Sequence, residues 1–190
     1  MNITDEGRVA LVSADGHLIT EAIAESAEHQ AALDGEAYIV NCTITDDTLT
    51  TTATGGFMLY LRNLRSDKYL EVTKIEASAA VAGGVLVAVV DPVEGTLAAN
   101  AVTTPVSLNR ERVVSADVEC NCWDESGHGM TGLTGGTILK TTILAVGKSS
   151  VDLDGSVMLG LNDSIVVSFS GAAGEFECSI RYHFRRKTTV

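Results

Sequence analysis

Cys120, Cys122 and His128 are the residues whose types and spacing come nearest to a metal site. Structural zinc usually takes two cysteines separated by two to four residues and a second pair of ligands elsewhere. Here a single residue separates the cysteines and no fourth ligand is evident, and Cys42 and Cys178 could contribute only if the fold brings them close. We therefore predict no metal and interpret the cysteines as buried thiols that act as small hydrophobes. Disulfides are the alternative in a protein that works outside a cell.

Residues 127–132, GHGMTG, match the G-x-G-x-x-G pattern of dinucleotide-binding sites. Such a site needs a helix directly after the glycines, because the helix N-terminus faces the pyrophosphate. The continuation, LTGGT, disfavours a helix and leads into a strand. We predict no nucleotide cofactor and interpret residues 124–136 as a long surface loop at the rim of the fold, of the kind that often carries contacts.

Other catalytic patterns are weak. The histidines are scattered, without the H-x-H or H-E-x-x-H spacing of metal sites, and Ser126 lies in ESGHG rather than in G-x-S-x-G. Residues 152–155, DLDG, resemble the start of a calcium loop but lack its later carboxylates, so a β-turn explains them better. The sequence therefore predicts that the protein is not an enzyme and has no cofactor.

The composition favours β-structure. The chain has 190 residues, of which 45% are hydrophobic and 5% aromatic, with 18 glycines and 2 prolines. The apolar residues are mainly Val, Ala, Leu and Ile, and threonine is plentiful. Many β-branched residues and glycines indicate strands joined by turns, and the apolar fraction suffices for the core of one large domain.

The charge is strongly negative and unevenly distributed. The net charge is −12, which argues against nucleic-acid binding and against an anionic membrane surface. Arg8 is the only basic residue before Leu61, whereas the C-terminal region carries several bases. One interpretation is that the acidic N-terminal part and the basic C-terminal region are simply two solvated surfaces. The other is a molecule with an acidic and a basic end, suited to head-to-tail docking or to a charged partner.

Targeting signals are not apparent. No window offers the roughly 20 apolar residues of a membrane helix. The start, MNITDEGRVALV, has no basic region ahead of an apolar run, so we expect no signal peptide. With four cysteines, too few for a disulfide scaffold at this length, the sequence predicts synthesis in a reducing cytoplasm.

Alternating patterns recur along the chain. In residues 55–75 two alternating segments flank turn-forming residues, which predicts a β-hairpin with a tight connection. Residues 85–90, VLVAVV, are apolar on both faces and indicate a central strand. Roughly ten to twelve short strands, with turns about every 8–12 residues and one of them at Asp154-Gly155, predict an all-β fold, an antiparallel β-sandwich that is jelly-roll-like.

Residues 1–34 differ from the rest, because they are acidic, rich in alanine and short of β-branched runs. Residues 20–33 fit a helix that Thr20 caps and Asp34-Gly35 stops. The alternative is an extended arm that becomes ordered only against a neighbour. We predict an acidic N-terminal arm, partly helical, over residues 1–34 and a β-sandwich domain over residues 35–190.

Three stretches carry a resemblance to a known class of proteins. They are DGEAY at residues 34–38, FMLYLRN at 57–63 followed by KYLEVTKI at 68–75, and residues 143–184, where apolar strands surround G-x-S and Asn-Asp turns. This pattern resembles small virion structural proteins of tailed bacteriophages, which decorate or cement the capsid. The resemblance covers most of residues 34–184.

The resemblance implies a non-enzymatic viral protein made in the host cytoplasm and carried on the capsid surface of the virion. It implies a homotrimer that binds the major capsid protein, with the arm contacting the shell or a neighbouring subunit. Acidic arms repel one another until they meet basic groups of a neighbour. The candidate interaction residues are Glu21, Glu25, Glu28, Trp123, His128, Arg181, Arg185, Arg186 and Lys187.

Two other functions stay open at this point. A β-sandwich binding module could recognise carbohydrate or a host surface with residues 124–136 and Trp123, the only tryptophan. A single aromatic side chain at a strand end more often packs against its own protein than binds a sugar ring. The third possibility, an enzyme on a β-barrel, has no acid–base or metal constellation to support it.

Overall fold

The computed structural model describes residues 3–5, 8–12, 18–19, 26–44, 56–80, 83–90, 101–111, 115–122, 137–144, 147–171 and 175–187. These residues form one short helix and strands that pair in antiparallel fashion. In chain order the elements are β1 Ile3–Asp5, β2 Arg8–Val12, β3 Leu18–Ile19, α1 Ala27–Leu33, β4 Ala37–Ile44, β5 Gly56–Asn63, β6 Lys68–Ala79, β7 Gly83–Val90, β8 Ala101–Val102, β9 Val106–Ser107, β10 Val118–Cys122, β11 Thr137–Leu144, β12 Gly147–Leu159, β13 Ser164–Gly171 and β14 Phe176–Arg186.

The fold is an all-β sandwich with jelly-roll topology. A five-stranded sheet has the order β12-β6-β14-β4-β9, and a six-stranded sheet has the order β11-β7-β13-β5-β10-β8. The first four long strands pair in reverse order with the last four: β4 with β14, β5 with β13, β6 with β12, and β7 with β11. This nested pairing is that of a long antiparallel ribbon rolled into two sheets. The sequence prediction of the fold class is confirmed.

One hydrophobic core joins the two sheets. Phe169 on β13 stacks on Phe176 on β14, with ring centroids 4.7 Å apart, although these strands belong to different sheets. Alternate residues of β14 point into the core, among them Ile180, Tyr182 and Phe184, as the two-residue period of a strand requires. β7 has a partner strand on each side, so the prediction of a central strand at residues 85–90 is also confirmed.

The predicted hairpin at residues 55–75 is wrong in its pairing. Both strands exist, as β5 and β6, but they lie in different sheets, and residues 64–67 cross from one sheet to the other. Asn63 is fully buried at this crossing, and its side-chain amide donates to the carbonyl oxygens of Lys68 and Leu159. Turn-forming residues mark where the chain reverses, but they do not report which strand becomes the neighbour.

The prediction that a turn at Asp154-Gly155 separates two strands is also wrong. β12 runs through it, and its register against β6 shifts between Asp152 and Val157. Asp152 lies opposite Lys74, whereas Val157 lies opposite Val72, so the extra residues of β12 are taken up in an irregularity within the strand.

The predicted helix over residues 20–33 is shorter in the structure. The backbone of Ser26 is extended, and its Oγ accepts a hydrogen bond from the amide of His29, so α1 begins at Ala27. Its end is as predicted: Gly35 has a positive φ of 75°, and the amide of Glu36 donates to the carbonyl of Ala31. The predicted cap at Thr20 lies outside the described residues. Earlier in the chain, β1, β2 and β3 form a small antiparallel sheet of their own.

Candidate interaction surface

The outer face of the five-stranded sheet collects the charged residues of the last strand. Because Ile180, Tyr182 and Phe184 face the core, Arg181, His183 and Arg185 point to the other side. α1 packs against β4 and β14 on the sandwich, and Ala31 is its buried residue. The helix and the last strand therefore bring acidic and basic groups together.

His183 and Glu71 form the most buried polar contact of this face. His183 is 2% exposed, and its Nε2 lies 3.6 Å from Oε2 of Glu71. The same carboxylate oxygen lies 3.4 Å from Nη1 of Arg185. Within the described structure neither ring nitrogen of His183 has a hydrogen-bond partner. Glu71 thus neutralises one exposed cation while lying beside a buried imidazole.

Burial lowers the pKa of His183 below its ordinary value, because a charged imidazolium loses solvation there. The carboxylates of Glu71 and Glu28 act in the opposite direction and raise this pKa, whereas the charge of Arg185 lowers it. The net direction is downward. His183 is therefore neutral at pH 7 and is enclosed too tightly for a substrate to reach its ring nitrogens.

Glu28 links the helix to the sheet. Thr73 sits where the register of β6 against β14 shifts, and its Oγ1 lies 3.4 Å from Oε1 of Glu28 and 3.3 Å from the carbonyl oxygen of Arg181. A hydroxyl has one proton, so it donates to one of these two acceptors at a time. Glu28, predicted as an interaction residue, thus contacts its own sandwich.

A network of charges lies where the chain crosses between the sheets. Arg65 forms a forked pair with Asp67, from Nε to Oδ1 at 3.0 Å and from Nη2 to Oδ2 at 2.8 Å. This hydrogen bonding lowers the pKa of the Asp67 carboxyl and raises that of Arg65. The carboxylate of Glu36 accepts a hydrogen bond from Nζ of Lys68, and Nη1 of Arg65 lies 3.7 Å away from it. Arg65 also lies over the ring of Phe184, 5.1 Å from its centroid.

Exposed apolar and basic side chains meet beside this network. Tyr69 on β6 lies opposite Arg185 on β14, and Met158 on β12 lies opposite Glu71. Nζ of Lys187 lies 5.1 Å from the centroid of the Tyr69 ring and donates to the carbonyl of Ser66 at 2.8 Å. Tyr69 is 37% exposed and Met158 is 51% exposed. We call Tyr69, Met158, Arg185 and Lys187 the Tyr69 patch.

Five of the nine predicted interaction residues lie in the described structure. Arg181 and Arg185 lie on the outer face, Arg186 is exposed opposite Lys68, and Lys187 belongs to the Tyr69 patch. Glu28 is the fifth, on α1. The other predicted residues, Glu21, Glu25, Trp123 and His128, lie outside the described residues.

Sequence reasoning missed Glu36, Arg65, Glu71 and His183. The alternation of β14 carries a signal for His183, since it places this residue on the same side as Arg181. No signal in the sequence identifies Glu71 as its neighbour, because that contact depends on the pairing of β6 with β14.

A polar cleft of about 370 Å³ lies on β4, β6 and β14, further along the same sheet. Nζ of Lys74 lies 3.1 Å from Oε1 of Glu76 at this cleft. Its polar lining residues are Asn41, Thr43, Glu76, Ser78, Glu177 and Ser179. Amide, hydroxyl and carboxylate groups together offer both donors and acceptors to a polar ligand.

The cysteines do not form a metal centre in the described structure. All four thiols are reduced, and no group of three or more described His, Cys, Asp and Glu side chains could hold a metal ion. Cys120 is buried on β10, and burial raises the pKa of its thiol to about 12. Cys42 and Cys178 lie opposite each other in the other sheet.

Comparison with known proteins adds no family. No family model matches the sequence, and neither a curated protein nor a solved structure matches it. No helix of the described part is long and apolar enough to cross a membrane. Functional inference therefore starts from the surfaces described above.

Proposed function

We propose that the protein is a non-enzymatic virion structural protein that binds and stabilises the outer surface of a phage capsid. In this proposal it forms a homotrimer on the major capsid protein, and the N-terminal arm contacts the shell or a neighbouring subunit. A protein that binds only the assembled shell stabilises that state by mass action and needs no catalytic pocket. The jelly-roll sandwich supports the proposal because this architecture is common among capsid domains.

The Tyr69 patch is the observation that carries the proposal. Tyrosine, methionine and arginine are enriched in protein interfaces. Here Tyr69 lies opposite Arg185, and Met158 lies opposite Glu71, two residues along β6 from Tyr69. The charge of the chain complements this patch, since residues 1–61 hold ten acidic residues and one basic residue. An acidic arm from a neighbouring subunit therefore fits the basic end of β14.

The first test is the native mass by light scattering, followed by cosedimentation with purified shells of the virus that encodes the chain. The proposal expects a trimer of about three times 19.9 kDa. A deletion of residues 1–25 keeps Ser26 as the cap of α1, so the sandwich should fold while shell binding is lost. Normal cosedimentation of the deletion variant would refute the role of the arm.

Charge reversal tests the surface itself. Arg185→Glu should weaken cosedimentation at least tenfold, because a cation of the Tyr69 patch becomes an anion. Arg110→Glu is the matched control, since Arg110 is exposed on another segment and its substitution makes the same change of charge. Equal effects of the two substitutions on binding would point to net charge rather than to the Tyr69 patch.

A carbohydrate-binding module is the second candidate, and the polar cleft on β4, β6 and β14 supports it. Its volume of about 370 Å³ is in the range of small-molecule sites. Titration with a panel of saccharides, followed by NMR, tests this candidate. Ser179→Trp should fill the cleft and abolish binding, whereas Ser66→Trp on the crossing between sheets should leave it unchanged. An absence of shifts with every saccharide in the wild-type protein would exclude the candidate.

A further inference from the structure

Cys42 and Cys178 face each other across the first and last long strands of the sandwich. The register of β4 and β14 pairs them directly, and both are buried, with 2% and 4% of their surface exposed. Both thiols are reduced in the structure. We propose that this pair is an oxidation site, at which Cys42 and Cys178 form an intramolecular disulfide when the folded protein meets a small-molecule disulfide.

The geometry of an antiparallel pair suits this bond. Residues directly opposite each other have Cα atoms about 4.5 or 5.5 Å apart, depending on the hydrogen-bonding pattern. Both values fall in the span of about 4.4–6.8 Å seen in disulfides. The Cβ atoms of such a pair are about 4.5–5.5 Å apart, slightly beyond the disulfide range of about 3.5–4.5 Å. The strands must approach a little, so the bond is strained and reducing agents break it readily.

The remaining cysteines are poorly placed to compete. Cys120 and Cys122 are two residues apart on β10, so their Cα atoms are separated by about 6.6 Å, at the upper end of the disulfide span. The raised pKa of Cys120 keeps its thiol protonated, and a protonated thiol is a poor nucleophile. The cross-strand pair is therefore the favoured intramolecular bond.

Cys42 lies near the end of β4, where a small-molecule disulfide can reach its thiol after local opening of the strand. β9 pairs with β4 only at Tyr38 and Ile39, and Oγ1 of Thr103 donates to the carbonyl of Asn41, so within the described structure no strand pairs with β4 on that side at Cys42. β4 ends at Ile44, two residues beyond. Both cysteines also line the polar cleft, although their side chains belong to the hydrophobic core. Local opening of a strand end costs less free energy than global unfolding, and it exposes the sulfur atoms to solvent.

The reaction is two successive thiol–disulfide exchanges. The thiolate of one cysteine attacks oxidised glutathione, forms a mixed disulfide and releases one glutathione thiolate. The second cysteine thiolate then attacks the protein sulfur of the mixed disulfide and releases the second glutathione thiolate. Two protein thiols lose two electrons, one glutathione disulfide gains them, and the two cysteine protons pass to the released thiolates.

The bond joins β4 to β14 and so encloses most of the sandwich in one covalent loop. Long loops lose the most chain entropy in the unfolded state, which stabilises the folded state. We expect a rise in melting temperature on the order of 5–10 °C after part of the gain is offset by strain. A protein released from a reducing cytoplasm would gain this stabilisation outside the cell.

The test incubates the native protein with oxidised glutathione, blocks remaining thiols by alkylation in denaturant, and maps peptides by mass spectrometry. The proposal expects a linked peptide pair containing Cys42 and Cys178, alkylated Cys120 and Cys122, and reversal by dithiothreitol. Alkylation of both Cys42 and Cys178, a mixed disulfide that persists at either one, or a link to Cys120 or Cys122 would overturn it.

Cysteine variants distinguish the effect of the Cys42–Cys178 disulfide on the melting temperature from other effects of oxidation. Cys42→Ala should lose the increase in melting temperature that oxidised glutathione causes, whereas Cys122→Ala should retain it. The peptide map of the wild-type protein decides the question even where a variant fails to fold. Equal melting temperatures of oxidised and reduced wild-type protein, with the bond present, would refute the stabilising role.

Discussion

The side-chain amide of Asn63 donates a hydrogen bond to the carbonyl oxygen of Leu159 at 2.9 Å and so ties the two sheets together. The same nitrogen donates to the carbonyl of Lys68 at 3.1 Å, and Oδ1 accepts from the amide of Arg65 at 2.8 Å. The backbone of Asn63 also exchanges hydrogen bonds with Asn162 and Asp163. One buried asparagine thus connects two crossings between the sheets, at residues 64–67 and 160–163.

Asn63→Ala should lower the free energy of unfolding by about 2–4 kcal/mol, because three backbone groups, two of them buried, lose their side-chain partner. Urea unfolding followed by circular dichroism measures this loss. Asn41→Ala is the control, since Asn41 is an exposed strand asparagine, and its effect should stay within about 0.5 kcal/mol. Comparable effects of the two substitutions would show that the Asn63 amide does not hold the crossings.

Glu36→Gln should destabilise the protein by about 1–3 kcal/mol, because Lys68 would keep its charge while losing the carboxylate beside it. Lys68 is buried, so water compensates little for this loss. Asp67→Asn removes the other carboxylate that binds Arg65, but Asp67 is exposed and its substitution should have little effect. Thermal unfolding of both variants at low and high salt distinguishes the two roles, and a larger effect at Asp67 would contradict this account.

Stability should fall as the pH drops below about 6.5, the ordinary pKa of histidine, because the folded pKa of His183 is lower. Between these two pKa values the unfolded chain binds a proton that the folded protein does not. The free energy of unfolding therefore decreases by up to about 1.4 kcal/mol for each pH unit in that window, and the contribution levels off below the folded pKa. Urea titrations at several pH values measure the slope.

His183→Gln should remove that part of the slope, and His29→Gln should preserve it, because His29 is exposed on α1. Glu71→Gln should lower the pKa of His183 further, since the carboxylate of Glu71 raises it. An unchanged pH dependence in His183→Gln would assign the effect to carboxylates elsewhere.

Gly35→Ala should destabilise the protein by about 1 kcal/mol, because a side chain at φ 75° meets steric strain that glycine avoids. Gly35→Asn should recover part of the loss, since asparagine tolerates this conformation better. Melting temperatures of the two variants give the comparison. The account fails if alanine is tolerated as well as asparagine.

Local patterns in the sequence correctly predicted most strands and the sandwich. The alternation of β14 follows from its own residues, because successive side chains of a strand point to opposite faces. The end of α1 at Asp34-Gly35 is equally local, since only nearby backbone groups make that cap. The start of α1 was not predicted, because it depends on the cap at Ser26, whose side chain accepts a hydrogen bond from the amide of His29.

Pairing was decided only in the tertiary structure. The sequence pattern predicts a hairpin of β5 and β6, yet these strands lie in different sheets. The reason is that β12 and β14 occupy the two sides of β6. The pair His183–Glu71 follows from the pairing of β14 with β6, and the pair Cys42–Cys178 follows from the pairing of β14 with β4. Neither pair is visible in the one-dimensional pattern. Neighbouring residues suffice to predict most of the strands and their apolar faces, because the alternation of side chains is a local property. Which strands meet depends on the free energy of burying one shared core, and only the folded chain determines that.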